Sequence, residues 1–405
     1  VVGSQTQFRP GDRFDYEILV GCSSTTSPGC IDAFLVDTLP APYVDLRARI
    51  LQGHAARLTG QPALAEQVLE SVVADCEAWG QVAPPDLAWR LASVEYGAAD
   101  FRTARDLCTG ARIALVADEP PSDRAMRLAT LALCEWQLGD DDAAARVVAE
   151  ALSTAGRGDD QARATALIAQ SMLLTGARRI NALSSALATA QRSGDVFLLQ
   201  RSLTNLSDAQ LVAGEYAAAL DSADQALALV DRTGPVGTYV SALHNGGEAL
   251  IGLGDLQAAR VRFLRCLDAA RAKGLDRTPA ALWGLAEVDF QAGRLGDARA
   301  AFEEAAELAR DTGERQILVP ALTRLATIMA TAPRSDGDLK DGEALAEEAV
   351  RLAPAETRSE ALAALGWVLL ARGDLAAAAG IAEEAADVAR AVQNRRSLGP
   401  VLELA

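Results

Sequence analysis

Few residues in this sequence could do covalent chemistry. There are two histidines, His54 and His244, 190 residues apart, so a Ser/His/Asp relay has almost no choice of base. His244 and Glu248 share a helical face at i, i+4 and could seat a metal, but two ligands are too few for a closed site. The six cysteines show no C-x-x-C spacing, and no Walker-type phosphate loop is present. The G-x-G in GLGDLQAAR lies between two helical patterns and does not follow a strand. No catalytic set, cofactor or metal is therefore expected. What remains is chemistry of recognition. Asp208, Glu248 and Glu287 recur about 40 residues apart. Thr204, His244 and Trp283 stand one helical turn before them, and Asn205 and Asn245 occupy a neighbouring position. Carboxylates, amides and an aromatic ring spaced in this way suit binding of an extended chain, with a basic or amine-bearing one favoured by the acids.

Such spacing needs an element that repeats. In the stretch 213–313, each block opens on a glycine: Gly214, Gly254 and Gly293. Ala219, Ala259 and Ala298 follow five residues later, and Ala226, Cys266 and Ala305 follow twelve residues later. Equivalent turns fall at Gly60, Ala99, Gly139, Gly176, Gly337 and Gly373. A third small column, seven residues before the turn, includes Gly53, Ala92, Ala132, Ala169, Ser207, Gly247, Ala286 and Gly366. Glycine turns the chain between antiparallel helices, and small residues let the helices approach closely. The period predicts nine helix–turn–helix units in an all-α solenoid, each touching only its neighbours, with helices of about 15–18 residues. The eighth unit departs from the pattern. An insertion around Pro333 predicts an exposed loop before its second helix.

Composition agrees. The chain has 405 residues, 50% of them apolar and only 4% aromatic, rich in alanine and leucine, which favours helix. A net charge of −17 argues against direct nucleic-acid binding by this segment. No apolar run is long enough to span a membrane. Cys76, Cys108, Cys134 and Cys266 sit singly on helical faces and read as buried free thiols of a reducing compartment.

Residues 1–42 do not fit the repeat. Short β-branched and aromatic runs, Arg13–Val20 and Ala33–Leu39, read as two strands, with Cys22 and Cys30 at the ends of the connecting loop. A disulfide between them suits an oxidising setting. GDRFDYEILV followed by FLVDTLPAP resembles the first half of an immunoglobulin-like repeat of bacterial surface proteins. A strand-like linker is the other reading of the segment.

The three small columns and the turn glycine, carried over residues 43–394, resemble the tetratricopeptide repeat family. The resemblance implies a right-handed solenoid whose first helices line the concave face and bind peptides there. It places Asn205, Asp208, His244, Asn245, Glu248, Trp283 and Glu287 on that face, the asparagines resembling the ladder with which some members hold a peptide backbone. Residues 395–405 match the start of a further first helix. Turns of the L-x-x-G-D-L-x-x-A kind also resemble the sensor arrays of large bacterial transcription regulators. The expected function is a cytoplasmic protein- or peptide-binding scaffold within a longer protein. The alternative is an interaction scaffold outside the cytoplasm, favoured if residues 1–42 are a surface domain.

Overall fold

The recurring Gly-Asp pair explains how each hairpin turns. At Gly254 the backbone enters the left-handed region (φ 81°), where a Cβ is penalised. There Gly254 N–H donates to the Ile251 carbonyl at 2.9 Å and Asp255 N–H to the Leu250 carbonyl at 2.9 Å, closing the first helix. The Asp255 carboxylate then accepts from Ala258 N–H at 2.9 Å and caps the second helix. The same device recurs at Gly139-Asp140 and Gly373-Asp374. Two residues thus end one helix and start the next.

The computed structural model describes residues 13–14, 39–98, 100–156, 158–229, 237–273, 278–312, 314–396 and 401. Eighteen helices lie among them, forming nine hairpins. The first three hairpins are α1 (Ala41–Leu58) with α2 (Pro62–Ala78), α3 (Leu87–Gly97) with α4 (Phe101–Thr109), and α5 (Pro121–Gln137) with α6 (Asp141–Thr154). The next three are α7 (Asp160–Ser171) with α8 (Gly176–Ser193), α9 (Val196–Val212) with α10 (Tyr216–Leu227), and α11 (Gly237–Gly252) with α12 (Leu256–Lys273). The last three are α13 (Thr278–Gln291) with α14 (Leu295–Thr312), α15 (Arg315–Thr331) with α16 (Asp336–Leu352), and α17 (Ala355–Ala371) with α18 (Leu375–Val392). The fold is the all-α, tetratricopeptide-like hairpin array that the period implies. Of the expected strands, the described residues hold one antiparallel pairing, Arg13 with Pro40 and Phe14 with Leu39. Cys22, Cys30 and the intervening chain lie outside the described residues.

The array divides into two compact units. The first comprises residues 1–174, 181–202 and 228–236, and the second comprises 175–180, 203–227 and 237–405. The core of the first unit is built on Leu46, Ile50, Leu69, Leu87, Leu91 and Leu107, all inaccessible to solvent. The second packs alanine columns around two phenylalanines, Phe263 and Phe302, both fully buried. Each such ring contributes about 1.5–3 kcal/mol by leaving water. Phe263 fits only because Gly247 of α11 and Gly284 of α13 lack side chains. A Cβ at Gly247 would lie 2.6 Å from the ring, and one at Gly284 would collide with it.

Three expectations need correction. Helix length is less uniform than predicted: α4 has nine residues, because Gly110, at φ 83°, ends it early. Gly337 is not a turn glycine but lies in the first turn of α16, and the eighth hairpin turns instead through the exposed residues 333–335. Contacts are also not confined to neighbouring hairpins. In the second unit the chain after α18 returns to much earlier hairpins: Gln393 fills the space beside Gly176, and Arg396 reaches Glu248, 148 residues away.

Candidate functional site

The predicted recognition residues of the second unit lie on the first helices of successive hairpins, α9, α11 and α13. Their surroundings differ from a row of open carboxylates. Asp208 pairs with Arg179 of α8 at 2.6 Å. Glu287 is buried and receives a two-pronged pair from Arg324 of α15, whose Nε donates to Oε2 at 2.7 Å and whose Nη2 donates to Oε1 at 2.9 Å. Glu248 accepts from both terminal nitrogens of Arg396, at 3.1 and 3.3 Å, and His244 Nε2 lies 4.0 Å from its Oε2. Each acid of the stripe has an arginine, and for Asp208 and Glu287 it comes from an adjacent hairpin.

The aromatic and amide positions are likewise engaged. Trp283 is 3% exposed and packs between His244 (centroids 5.8 Å apart) and Phe302 (6.4 Å), so it presents no open face to a ligand. The physical reason is the smallness of its neighbours: alanine and glycine columns leave room between helices, and a large ring fills it. Asn245 is buried, and its Nδ2 donates to the Thr204 carbonyl of α9 at 3.0 Å, so it holds a neighbouring helix backbone. Asn205 is half-buried on α9.

Four residues outside the predicted set complete the site: Arg324, Glu360, Trp367 and Arg396. Arg396 also approaches Glu360 of α17 at 4.0 Å, and the Arg324 guanidinium lies 5.0 Å from the Phe290 ring centroid. The resulting chain, Glu248–Arg396–Glu360 beside Arg324–Glu287, sets three carboxylates against two guanidiniums. Glu248 first, and against the cost of burial also Glu360, hold Arg396 far above the ordinary arginine range. Burial pulls Arg324 down, but Glu287 outweighs it and raises the net value. Both arginines stay charged at any ordinary pH. A cavity of about 60 Å³ opens here, lined by Thr323, Arg324, Thr327, Glu360, Trp367 and Arg396 among others. Of these, Trp367 shares the repeat position of Asp208, Glu248 and Glu287, six residues before the turn, and was legible from that register. The arginines were not: Arg324 falls at the position of Asn205 and Asn245 only once the eighth turn is placed at Pro333, and Arg396 occupies none of the repeated columns.

Among the described residues no group of three or more histidines, cysteines, aspartates or glutamates could hold a metal. No described helix is long and apolar enough to cross a membrane.

No protein-family model matches the sequence. No curated protein matches it either. The fold, however, has clear likenesses among solved structures. The apo form of the quorum sensor NprR from B. thuringiensis superposes with a TM-score of 0.57 at 11% identity, over 86% of this chain and 99% of that one. NprR in complex with its cognate peptide NprX gives 0.55 at 12% identity, over 85% and 99%. A Rap protein complexed with competence and sporulation factor gives 0.54 at 13% identity, over 89% and 96%. At these identities the likeness defines the fold: a tetratricopeptide-like helical repeat array.

Proposed function

We propose that the chain is a peptide-binding scaffold, the partner-sensing region of a larger bacterial regulatory protein, and that its ligand seats at the first-helix face of the second unit. The observation that carries this reading is the cavity beside Trp367, where a charged network with unequal signs borders open space. Two guanidiniums offset two of the three carboxylates, and the remaining negative charge suits a basic side chain or an amino terminus. Trp367 supplies a ring beside it for the aliphatic stem of that residue or for its cation. Of the residues marked out from sequence, Asp208, His244, Glu248 and Glu287 shape the electrostatics of this face, Asn205 and Asn245 its backbone spacing, and Trp283 its rigidity. The likeness to NprR and Rap, each solved with a bound factor, supports a peptide as ligand. Four buried cysteines without disulfides suit a reducing compartment, and we place the protein in the cytoplasm.

Binding of a panel of short basic and acidic peptides, measured by fluorescence anisotropy at low and physiological salt, tests the proposal. Basic peptides should bind better, and more weakly as salt rises. Glu360→Gln and Trp367→Ala should each weaken them by about tenfold, the loss of one charge-assisted or cation–π contact. Equal affinity for basic and acidic peptides, or intact affinity in both variants, would overturn it.

A further inference from the structure

Two arginines answer carboxylates side by side in the second unit, and they do so differently. Arg324 is built into α15, and its pair with buried Glu287 is short, at 2.7 and 2.9 Å. Arg396 lies past Val392, the end of α18. Its bonds to Glu248 are longer, at 3.1 and 3.3 Å, and its Nε is 4.0 Å from Glu360. Its side chain keeps 27% of its surface exposed. A guanidinium held at these distances and still in touch with water is held more loosely than one paired short and dry.

The stretch that carries Arg396 crosses several hairpins of the same unit. Gln393 turns the chain in the left-handed conformation (φ 56°) and packs its side chain against Gly176, the first residue of α8. The Arg395 Cβ lies 3.6 Å from the place a Cβ on Gly214 would take, at the turn between α9 and α10. Arg396 then joins Glu248 of α11 to Glu360 of α17. Further on, Val401 is buried in one cluster with Leu362 and Ala363 of α17 and Ala385 and Ala386 of α18. The chain is thus docked on both sides of residues 393–396, and between those points it lies as a strap over the acidic face.

Arg396 also lines the cavity of about 60 Å³ beside Trp367, together with Glu360. We propose that the strap is an internal stand-in for the ligand: the peptide that seats on this face does so through an arginine, which takes Glu248 and Glu360 from Arg396 and lifts it away. This rests on the peptide reading above and adds what holds the site when no peptide is there. The residue that fills the site selects the ligand's chemistry. Carboxylates from two helices, set around one guanidinium, offer acceptors to a planar fork, whereas an ammonium meets them only as a point charge. Occupation by the strap also sets the response to loosening it. A site closed for about nine-tenths of the time binds about tenfold more weakly than the same site open.

The test uses the whole chain and short glycine–serine peptides that carry one arginine, one lysine or one citrulline. Titration calorimetry gives their affinities at fixed ionic strength, and hydrogen exchange read by mass spectrometry follows residues 393–396. The arginine peptide should bind best, and its binding should raise exchange across that stretch. Arg396→Lys keeps the charge of the site but loses the fork. Gln393→Gly suits the left-handed backbone, alters no charge and removes the contact with Gly176. Both variants should bind the arginine peptide more tightly than wild type, by about three- to tenfold. Circular dichroism confirms that each keeps its helices. The proposal fails if the arginine peptide binds no better than the citrulline one, or if its binding protects residues 393–396 or leaves their exchange unchanged. It fails equally if neither variant binds more tightly. Binding with the strap still in place would leave the peptide reading standing, whereas loss of binding by every basic peptide would remove both.

Discussion

Gly247 shows how much one missing methyl can decide. Its Cα faces the Phe263 ring so closely that a Cβ would sit 2.6 Å from Cζ, and the fully buried ring has nowhere to move. Gly380, within α18, has no heavy atom within 4 Å of the place where its Cβ would be and is exposed. The same substitution should therefore act in opposite directions. Gly247→Ala should destabilise by about 1–3 kcal/mol through overpacking. Gly380→Ala should stabilise by about 0.5–1 kcal/mol by restricting the unfolded chain and improving helix propensity. Urea denaturation of both variants checks this, and changes of the same sign would contradict the packing described.

Helix starts carry the next layer. Asp338, in the first turn of α16, accepts from Arg299 Nη1 of α14 at 2.7 Å and from Arg334 N–H at 2.9 Å, with Ser335 Oγ also near. The Arg299 hydrogen bond, then the Arg334 amide, lower its pKa from 3.8 to about 2. The sign follows from which state holds the proton more tightly. The unfolded chain takes up the proton at higher pH, so the stabilisation is complete above about pH 4 and is lost as pH falls through about 2. Asp338→Asn should lose part of that stability at pH 6 and should decline less steeply than wild type between pH 4 and 2. Denaturation midpoints across that range are the measurement, and parallel declines would remove the pair from the account. The turn of this hairpin also marks a limit of reading by column. Gly337 stands where a turn glycine belongs, but the five-residue insertion moves the actual turn upstream, to Pro333.

Across the whole molecule, the thiols report how the units hold together. Cys76, Cys108 and Cys134 share one core cluster in the first unit, and Cys266 belongs to a separate cluster in the second. Burial pushes the thiols of the first three up, Cys134 to about 12, so the reactive thiolate is scarce in the folded chain. All three should resist a thiol reagent at neutral pH and become reactive together at one denaturant concentration, since exposing one exposes their common core. Labelling followed by mass spectrometry across a urea series checks this. Staggered exposure among the three would mean that the first unit opens hairpin by hairpin, as a loosely coupled repeat array can.

The amino-acid sequence by itself determined the hairpins. Each depends on contacts within a few residues: a left-handed glycine closing one helix, an aspartate capping the next, small residues where two helices cross. Such contacts recur with the sequence period and can be read from it. Only the tertiary structure decided which side chains meet across hairpins. It put Trp283 into the core, gave Asn245 to a helix backbone, and brought Arg396 to Glu248. These outcomes depend on rotations between hairpins that add up over many units, and no single repeat encodes their sum. The columns could therefore mark Asp208, Glu248 and Glu287 as a stripe. They could not show that arginines already answer it.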